Sequence, residues 1–483
     1  MTSYLRRLLR TGAAYQLADA VSKVVALALL PVYTRYLTPA DYGTAELVLT
    51  TIILVSIILR LGLGEAFVRF HYLDADPERR RRLARTATGS LAVITTLVAG
   101  LIAIFPEPVS QLLLLGSDQP DIIRAAALGL WAFTNLELAY ALLRVEERAR
   151  AFAVASLCNV ALTVLLTLWL VVGREEGALG LLLGNYVASA VVLLGLWFKE
   201  RESLGLVSRE QLGPMLRFGL PTVPAEASVF ALFFVDRLWL YRFESADSAG
   251  LYSLSVKLAG IVIFTVRAFQ YAWPPLAYSI ENDDEAARVY ARITTYYVLF
   301  TGVVVAGLVL LGRWLVRLFA DDKFYGAHEA LPWVALGWAL YGLFLVLVAM
   351  AGRAQVTIRN SPAALTGLVV NVALLALLVP PLGIAGAGIA LAGACVVMLV
   401  VMWLLTRNLF PVAFEWGRLA LVTGIAGGIA VAGELLLPTE GVTGLITRAG
   451  ALAAIPAALY LARFFRPGEL LAARRLLRPS TAG

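Results

Sequence analysis

The chain is organised around residues Tyr42 to Phe70, which read YGTAELVLTTIILVSIILRLGLGEAFVRF. At about 1.5 Å of rise per residue, a helix of this length crosses a lipid bilayer. Arg60 interrupts the apolar run, although a charge at the centre of a membrane helix costs about 2.5–3.5 kcal/mol and normally faces protein or water. Gly62 and Gly64 follow the arginine and are expected to loosen the helix. The stretch therefore predicts a membrane helix that directs a basic residue towards protein or water.

A second stretch, Gly250 to Tyr271, reads GLYSLSVKLAGIVIFTVRAFQY and is similar to the first. Aligning the first glycine of each stretch places Arg60 on Arg267. Another match is NVAL, which occurs at 159–162 and again at 371–374. A repeat of six spans gives both copies the same orientation in the membrane. We therefore predict two six-helix bundles related by an axis along the membrane normal.

The composition is that of a membrane protein. Of the 483 residues, 60% are hydrophobic and 15% are charged, whereas soluble domains have about 45–50% apolar and about 25% charged residues. The mean hydropathy is +0.81, and the apolar runs have the length of helices rather than the alternation of a transmembrane barrel. The sequence predicts an all-α polytopic protein with 14 transmembrane helices at roughly 11–34, 43–68, 86–105, 121–143, 151–172, 178–198, 219–240, 250–272, 294–311, 330–351, 361–380, 384–405, 418–436 and 446–465.

These spans define three predicted regions. Residues 1–205 form an N-terminal six-helix bundle and 206–410 a C-terminal one, while 411–483 add two transmembrane helices and a basic tail. Lysine and arginine concentrate in alternate loops and near both termini. Since basic residues accumulate on the cytoplasmic side, we predict a multi-pass protein of the cytoplasmic membrane with both termini in the cytoplasm.

Two basic segments are predicted at the cytoplasmic surface. The run Glu78-Arg79-Arg80-Arg81-Arg82 lies in the first cytoplasmic loop. One interpretation makes the run a topology anchor, and the other makes it a grip for anionic lipid headgroups. The tail from Arg466 to Arg478 is expected to form a short basic amphipathic helix on the same surface.

Several ionisable residues lie within predicted spans. Asp19 and Lys23 are four residues apart on one helix face, so they either neutralise each other or line a cavity in which Asp19 binds a cation or a proton. In the seventh span, Glu226 is the better cavity candidate, while Asp236 and its neighbour Arg237 lie near the outer end and are expected to be solvated. Asp19 and Glu226 are therefore the ion-coupling candidates.

The sequence contains no arrangement that points to catalysis. Glu137 and Glu434 are isolated carboxylates in predicted spans, and burial would keep such groups protonated and inert. Cys158 and Cys395 lie in apolar runs and are interpreted as packing residues. Neither histidine has the spacing of a metal ligand. We expect no enzymatic activity, no cofactor, no metal and no nucleic-acid partner.

Two sequence motifs resemble motifs of a known protein family. LPVYTRYLTPADYGT at 30–44 resembles the first outer turn of polysaccharide-biosynthesis flippases, and LGLGEAFVRF at 61–70 resembles their second helix. These flippases are O-antigen-type transporters of the multidrug/oligosaccharidyl-lipid/polysaccharide exporter superfamily. The resemblance implies movement of a polyprenyl-diphosphate-linked oligosaccharide from the inner to the outer leaflet by alternating access. It also implies that glycosyltransferases or a polymerase of the same pathway are partners, together with membrane lipids.

The resemblance also implies substrate-binding residues. Related lipid II flippases have essential cavity arginines in helices one, two and eight, which correspond here to Lys23, Arg60 and Arg267; the lysine departs from that pattern. Two arginines at matching positions in the repeat would clamp a diphosphate, because a guanidinium binds phosphate through paired donors. Lys257 and Lys23 would make later contacts. The other interpretation is that both arginines extend to lipid phosphates.

Three classes of function compete at this point. A flippase for lipid-linked oligosaccharides needs a cationic cavity, which Arg60 and Arg267 favour. A cation-coupled multidrug antiporter of the same superfamily needs acidic groups for cationic drugs, and Asp19 keeps this alternative open. A membrane polysaccharide polymerase would need a large outer loop with catalytic residues, and the predicted outer loops are short.

Overall fold

The computed structural model describes residues 21–73, 76–114, 119–201, 204–205, 207–280, 282–354, 356, 359–409, 412–466 and 468–469. These residues form an all-helical membrane protein, which confirms the predicted fold class. After helical residues 21–28, the helices are α1 (Leu30–Tyr36), α2 (Pro39–Leu59), α3 (Leu63–Leu73), α4 (Pro77–Ile104), α5 (Pro106–Leu114), α6 (Pro120–Val145), α7 (Ala149–Thr167), α8 (Gly177–Lys199), α9 (Arg209–Gly219), α10 (Val223–Phe243), α11 (Ala246–Leu258), α12 (Gly260–Ser279), α13 (Asp283–Phe319), α14 (Leu331–Arg353), α15 (Asn360–Thr406), α16 (Trp416–Leu436) and α17 (Gly441–Leu461).

Eleven helices among the described residues are long and apolar enough to cross a membrane, or twelve if the bent pair α11–α12 is one span. The 47-residue helix α15 covers two predicted spans and changes direction at Gly383, which has a φ of 55°. The first predicted span, 11–34, begins outside the described residues. The total of fourteen spans and the internal repeat stay predictions.

The start of α2 follows directly from the sequence TPAD. The Oγ1 of Thr38 accepts a hydrogen bond from the amide of Asp41, at 3.0 Å. In return, the Oδ2 of Asp41 accepts one from the amide of Thr38, at 3.2 Å. Pro39 occupies the first turn, where a helix needs no amide donor. This reciprocal cap satisfies two amides that a helix otherwise leaves unpaired.

The chain divides into two compact units, and the first contains the described part of Met1–Leu254 together with Phe319–Phe324. One of its apolar cores joins α3, α4, α6 and α9, and it includes Phe67, Leu83 and Met215. A second core joins α6, α7 and α8. Helix α10 packs along α2 in the same unit. These contacts place the break between α2 and α3 next to the start of α10.

The second unit contains Ser255–Leu318 and the described part of Tyr325–Gly483. Its apolar core joins α13, α16 and α17. In the same unit α14 packs on α12 and α15. The hydroxyl of Tyr297 donates a hydrogen bond to the carbonyl of Ala339, at 2.9 Å. The predicted bundle boundaries at 205 and 410 stay a prediction.

Large apolar side chains cover the outward faces of several helices, as expected for surfaces in contact with lipid. Leu97, Leu165 and Phe198 are exposed examples in the first unit. Cys395 is buried, as the prediction of a packing role requires, but Cys158 is exposed. The prediction was wrong for Cys158, because an apolar run in a membrane helix supplies its lipid-facing side as well as its packed side.

Candidate functional site

Arg60 lies at a break between two helices. Helix α2 ends at Leu59, and the two residues after Arg60, Leu61 and Gly62, have φ values of 50° and 67°. A Cβ atom on Gly62 would lie 2.2 Å from the carbonyl oxygen of Gly219, at the end of α9. Only glycine fits this position, because the backbone is left-handed and another backbone touches it. The expected loosening of the helix therefore occurs directly after the arginine.

The side chain of Arg60 forms an ion pair with Glu226, in the first turn of α10. The Nη2 of Arg60 donates a hydrogen bond to the Oε1 of Glu226, at 3.2 Å. The side chain of Arg60 is 23% exposed and that of Glu226 is 43% exposed. The Nε of Arg60 is buried and has no hydrogen-bond partner among the described residues. Glu226 therefore engages one donor of a guanidinium that has five.

This pair suits the binding of an exchangeable anion. A partly buried guanidinium requires a counter-anion, because an uncompensated charge in a low-dielectric site is costly. Glu226 supplies that anion through a single hydrogen bond, whereas phosphate oxygens can engage two parallel N–H groups of a guanidinium. A phosphate-bearing ligand can therefore compete with the carboxylate for Arg60.

The other predicted site residues lie on separate elements. Lys23 is half-buried within helical residues 21–28, and Lys257 is half-buried near the end of α11. Arg267 is exposed on α12 and makes no ion pair with a residue that the structure describes. Asp19 lies outside the described residues. Of the predicted site residues, the structure thus brings together Arg60 and Glu226.

The expected solvation of Asp236 and Arg237 is wrong. Asp236 is fully buried and accepts a hydrogen bond from the hydroxyl of Tyr252, at 2.7 Å. The Nε of Arg237 donates to the Oγ of Ser253, at 3.2 Å. Tyr252 and Ser253 both belong to α11, which packs here against α10 and excludes water. Proximity to the end of a helix indicated exposure, but the packing of the next helix decided burial.

The interpretation of Glu434 as an isolated carboxylate is also wrong. Its Oε1 lies 2.8 Å from the Nη2 of Arg313, on α13. Its Oε2 accepts a hydrogen bond from Arg448, a fully buried residue of α17 that also donates to the carbonyl of Pro438, at 2.9 Å. This network joins three helices of the second unit, and Arg448 is a residue whose role the sequence pattern did not reveal.

Residues 8–279 of the chain match the family described as polysaccharide biosynthesis protein. The chain belongs to this family. The match includes both Arg60 and Glu226, and it confirms the resemblance that the motifs at 30–44 and 61–70 indicated.

One relative of this chain is the succinoglycan biosynthesis transport protein ExoT of Rhizobium meliloti (strain 1021). The two sequences are 24% identical over 315 residues, which make up 64% of this chain and 60% of the relative. The chain thus spans about 60% of the length of that protein. The name of the relative describes a transport protein rather than an enzyme.

Two solved structures share the fold of this member of the polysaccharide biosynthesis family. One is the lipid II flippase MurJ in an inward closed conformation, with a TM-score of 0.75, 14% identity, and coverage of 96% of this chain and 99% of MurJ. The other is an inward-facing multidrug resistance transporter of the MATE family and MOP superfamily, with a TM-score of 0.65, 17% identity, and coverage of 80% and 95%. At these identities, the similarity establishes the fold.

Proposed function

We propose that this protein is a flippase that moves a polyprenyl-diphosphate-linked oligosaccharide across the cytoplasmic membrane by alternating access. The ion pair between Arg60 and Glu226 is the observation that carries the proposal. In this pair the counter-anion of the guanidinium is a carboxylate, which a phosphate group can replace. Membership of the polysaccharide biosynthesis family and the name of ExoT support transport of a glycan precursor. The fold of the lipid II flippase MurJ supports a lipid-linked substrate.

In this proposal, Arg60 binds the substrate diphosphate and Arg267 binds it as the matching residue of the second stretch. Lys23 and Lys257 make later contacts as transport proceeds. Glu226 releases Arg60 when the diphosphate arrives, and the carboxylate then needs a new counter-cation. Glu226 is therefore placed to couple substrate binding to uptake of a proton or a cation, and Asp19 is the second candidate for that role.

The pairing of Glu226 disfavours the multidrug antiporter. An antiporter for cationic drugs needs a carboxylate that attracts the drug, whereas this carboxylate already faces Arg60. We further propose that both termini are cytoplasmic and that the substrate enters from the cytoplasmic leaflet. Glycosyltransferases would then complete the substrate before transport, and a polymerase would use it afterwards.

The proposal is tested by glycan export in a host that lacks its own flippase, with all variants present at matched protein levels. R60A and R267A should each reduce export, and the double variant should abolish it. R60K and R267K should give intermediate export, because lysine keeps the charge but loses the paired donors. The control is R124A, since Arg124 is an exposed arginine that pairs with Asp121 at 3.0 Å. Wild-type export by the double alanine variant would refute the proposed binding site.

A further inference from the structure

A second basic site lies in the first unit, away from Arg60. A cavity of about 390 Å³ opens between α3, α4 and α9. Arg79, Arg80 and Arg82 line it from the first turns of α4, and Glu210 lines it from α9. Three positive charges face one negative charge, so the cavity favours an anion. The positive end of the α4 dipole adds to this preference.

Two carboxylates close to the cavity pair with residues of the basic run. Asp76 caps the start of α4 by accepting a hydrogen bond from the amide of Glu78, at 3.1 Å, and it lies 3.8 Å from the Nε of Arg79. Glu78 pairs with Arg81, at 3.3 Å, and neither residue lines the cavity. The lining itself contains three arginines and one glutamate, which gives it a positive excess.

Polar contacts hold α9 beside α4 and give the cavity a defined shape. The Nε2 of Gln211 donates a hydrogen bond to the carbonyl of Arg79, at 3.4 Å. The Oγ1 of Thr86 accepts one from the amide of Ser208, at 3.2 Å. Thr86 also lies 3.5 Å from the Oε1 of Gln211. These contacts connect residues that are more than 120 positions apart in the chain.

Apolar side chains form another part of the cavity wall. Leu83 and Met215 line it and are buried in the core that joins α3, α4, α6 and α9. Leu73, at the end of α3, also lines it but is 69% exposed. An exposed apolar side chain beside three arginines matches an amphipathic ligand, with its anionic group on α4 and its hydrocarbon against α3. A membrane lipid has this chemistry, whereas soluble phosphate lacks the hydrocarbon.

We propose that this cavity binds the phosphate headgroup of an anionic phospholipid. Arg80 and Arg82 attract the phosphate, Glu210 limits the affinity, and Leu73 contacts the first part of an acyl chain. The site is independent of the proposed transport substrate. It turns the basic run into a lipid-specific contact that holds α4 and α9 together, which is a more specific role than anchoring the topology.

The test measures binding of dioleoyl-phosphatidylglycerol and dioleoyl-phosphatidylcholine to the purified full-length protein by native mass spectrometry. A third arm uses glycerol phosphate, which has the phosphate but no acyl chain. R80Q/R82Q should weaken binding of phosphatidylglycerol about 25-fold, since each basic residue near a membrane surface contributes about fivefold. R150Q/R201Q removes two exposed arginines elsewhere in the same unit and should leave binding unchanged.

E210Q provides a variant with the opposite effect. Removing the only acidic side chain among the described lining residues should strengthen binding of phosphatidylglycerol by up to about fivefold, and misfolding cannot produce such a gain. Equal losses in R80Q/R82Q and R150Q/R201Q would show that general surface charge binds the lipid, and would overturn the proposal. Equal binding of glycerol phosphate and phosphatidylglycerol would overturn the assignment to a lipid.

Discussion

The backbones of Gly43 and Gly250 lie in direct contact. A Cβ atom on Gly43 would lie 2.1 Å from the carbonyl oxygen of Ala246, and one on Gly250 would lie 1.9 Å from that of Pro39. The two glycines belong to the stretches that the sequence matched, and the starts of α2 and α11 cross at this point. No side chain fits between the helices, so the contact requires glycine on both sides.

We expect the substitutions G43A and G250A to push α2 and α11 apart where they cross. Each should reduce both the stability of the protein and glycan export. Overpacking of a close contact costs about 1–3 kcal/mol, which should lower the melting temperature of the protein in detergent. G64A and G260A are matched controls, since a Cβ atom on either glycine would meet nothing within 4 Å. Unchanged melting of both crossing variants would show that these helix ends separate without cost.

The Arg60–Glu226 pair predicts that E226Q binds diphosphates more tightly. Glutamine removes the anion that competes for Arg60, and partly exposed ion pairs contribute up to about 1 kcal/mol. We therefore expect affinity for farnesyl diphosphate to rise by up to about fivefold, as measured by calorimetry on the purified protein. E107Q is the control, because Glu107 is an exposed carboxylate of helix α5. Weaker binding by E226Q would contradict exchange between carboxylate and phosphate.

The buried contact between Asp236 and Tyr252 predicts a loss of stability in Y252F. The phenylalanine keeps the packing of the ring but removes the hydroxyl that donates to Asp236. Loss of a hydrogen bond to a buried acceptor costs about 1–3 kcal/mol, so the melting temperature should fall. Y460F, at an exposed tyrosine, should melt like the wild type. If the two variants melted alike, the hydroxyl of Tyr252 would not contribute to stability.

The chain just after α17 docks onto the start of α16. The Nη2 of Arg418 lies 3.0 Å from the Oε2 of Glu469, which also accepts a hydrogen bond from the amide of Arg466, at 3.0 Å. Burial of the Glu469 carboxyl opposes its ionisation, but the bonds from Arg466 and Arg418 outweigh this effect, so the pKa of Glu469 is lowered. The charged form of Glu469 therefore stabilises the docked segment.

This lowered pKa predicts an acid-sensitive contact. The stabilisation should be complete above the ordinary carboxyl pKa and should disappear as the pH falls through the lowered pKa of folded Glu469. Wild-type protein should thus melt at a higher temperature than E469Q at pH 7, and the difference should vanish in acid. E440Q should match the wild type, since Glu440 is exposed and 3.5 Å from its partner Arg317. A difference between wild type and E469Q that persisted in acid would exclude the carboxylate as its source.

Local sequence features predicted several elements of the structure. The motif TPAD predicts the start of α2, and Gly62 predicts the break after Arg60, because capping and left-handed backbone depend on residues within one turn. The apolar runs predict membrane helices for the same local reason. Arg60 is conspicuous in the sequence because a charge within such a run is costly.

Contacts between side chains of different helices were predicted less well than the helices themselves. Glu226 is 166 residues from Arg60 in the chain, and the sequence predicts separate roles for the two residues. The position of Asp236 near a helix end predicts solvation, yet α11 buries this residue. The sequence pattern indicates no role for Arg448, although it binds Glu434 from another helix.

Hydropathy, caps and motifs are properties of short segments, so the amino-acid sequence alone is enough to indicate a helical membrane protein of the polysaccharide biosynthesis family. The packing of the helices is what reveals which charges pair, which are buried, and where three arginines border a partly apolar cavity. The physical reason is that an ion pair or a cavity depends on the packing of helices distant in the chain. Each helix can turn a given side chain towards lipid, water or protein at little local cost, and its neighbours select among these environments.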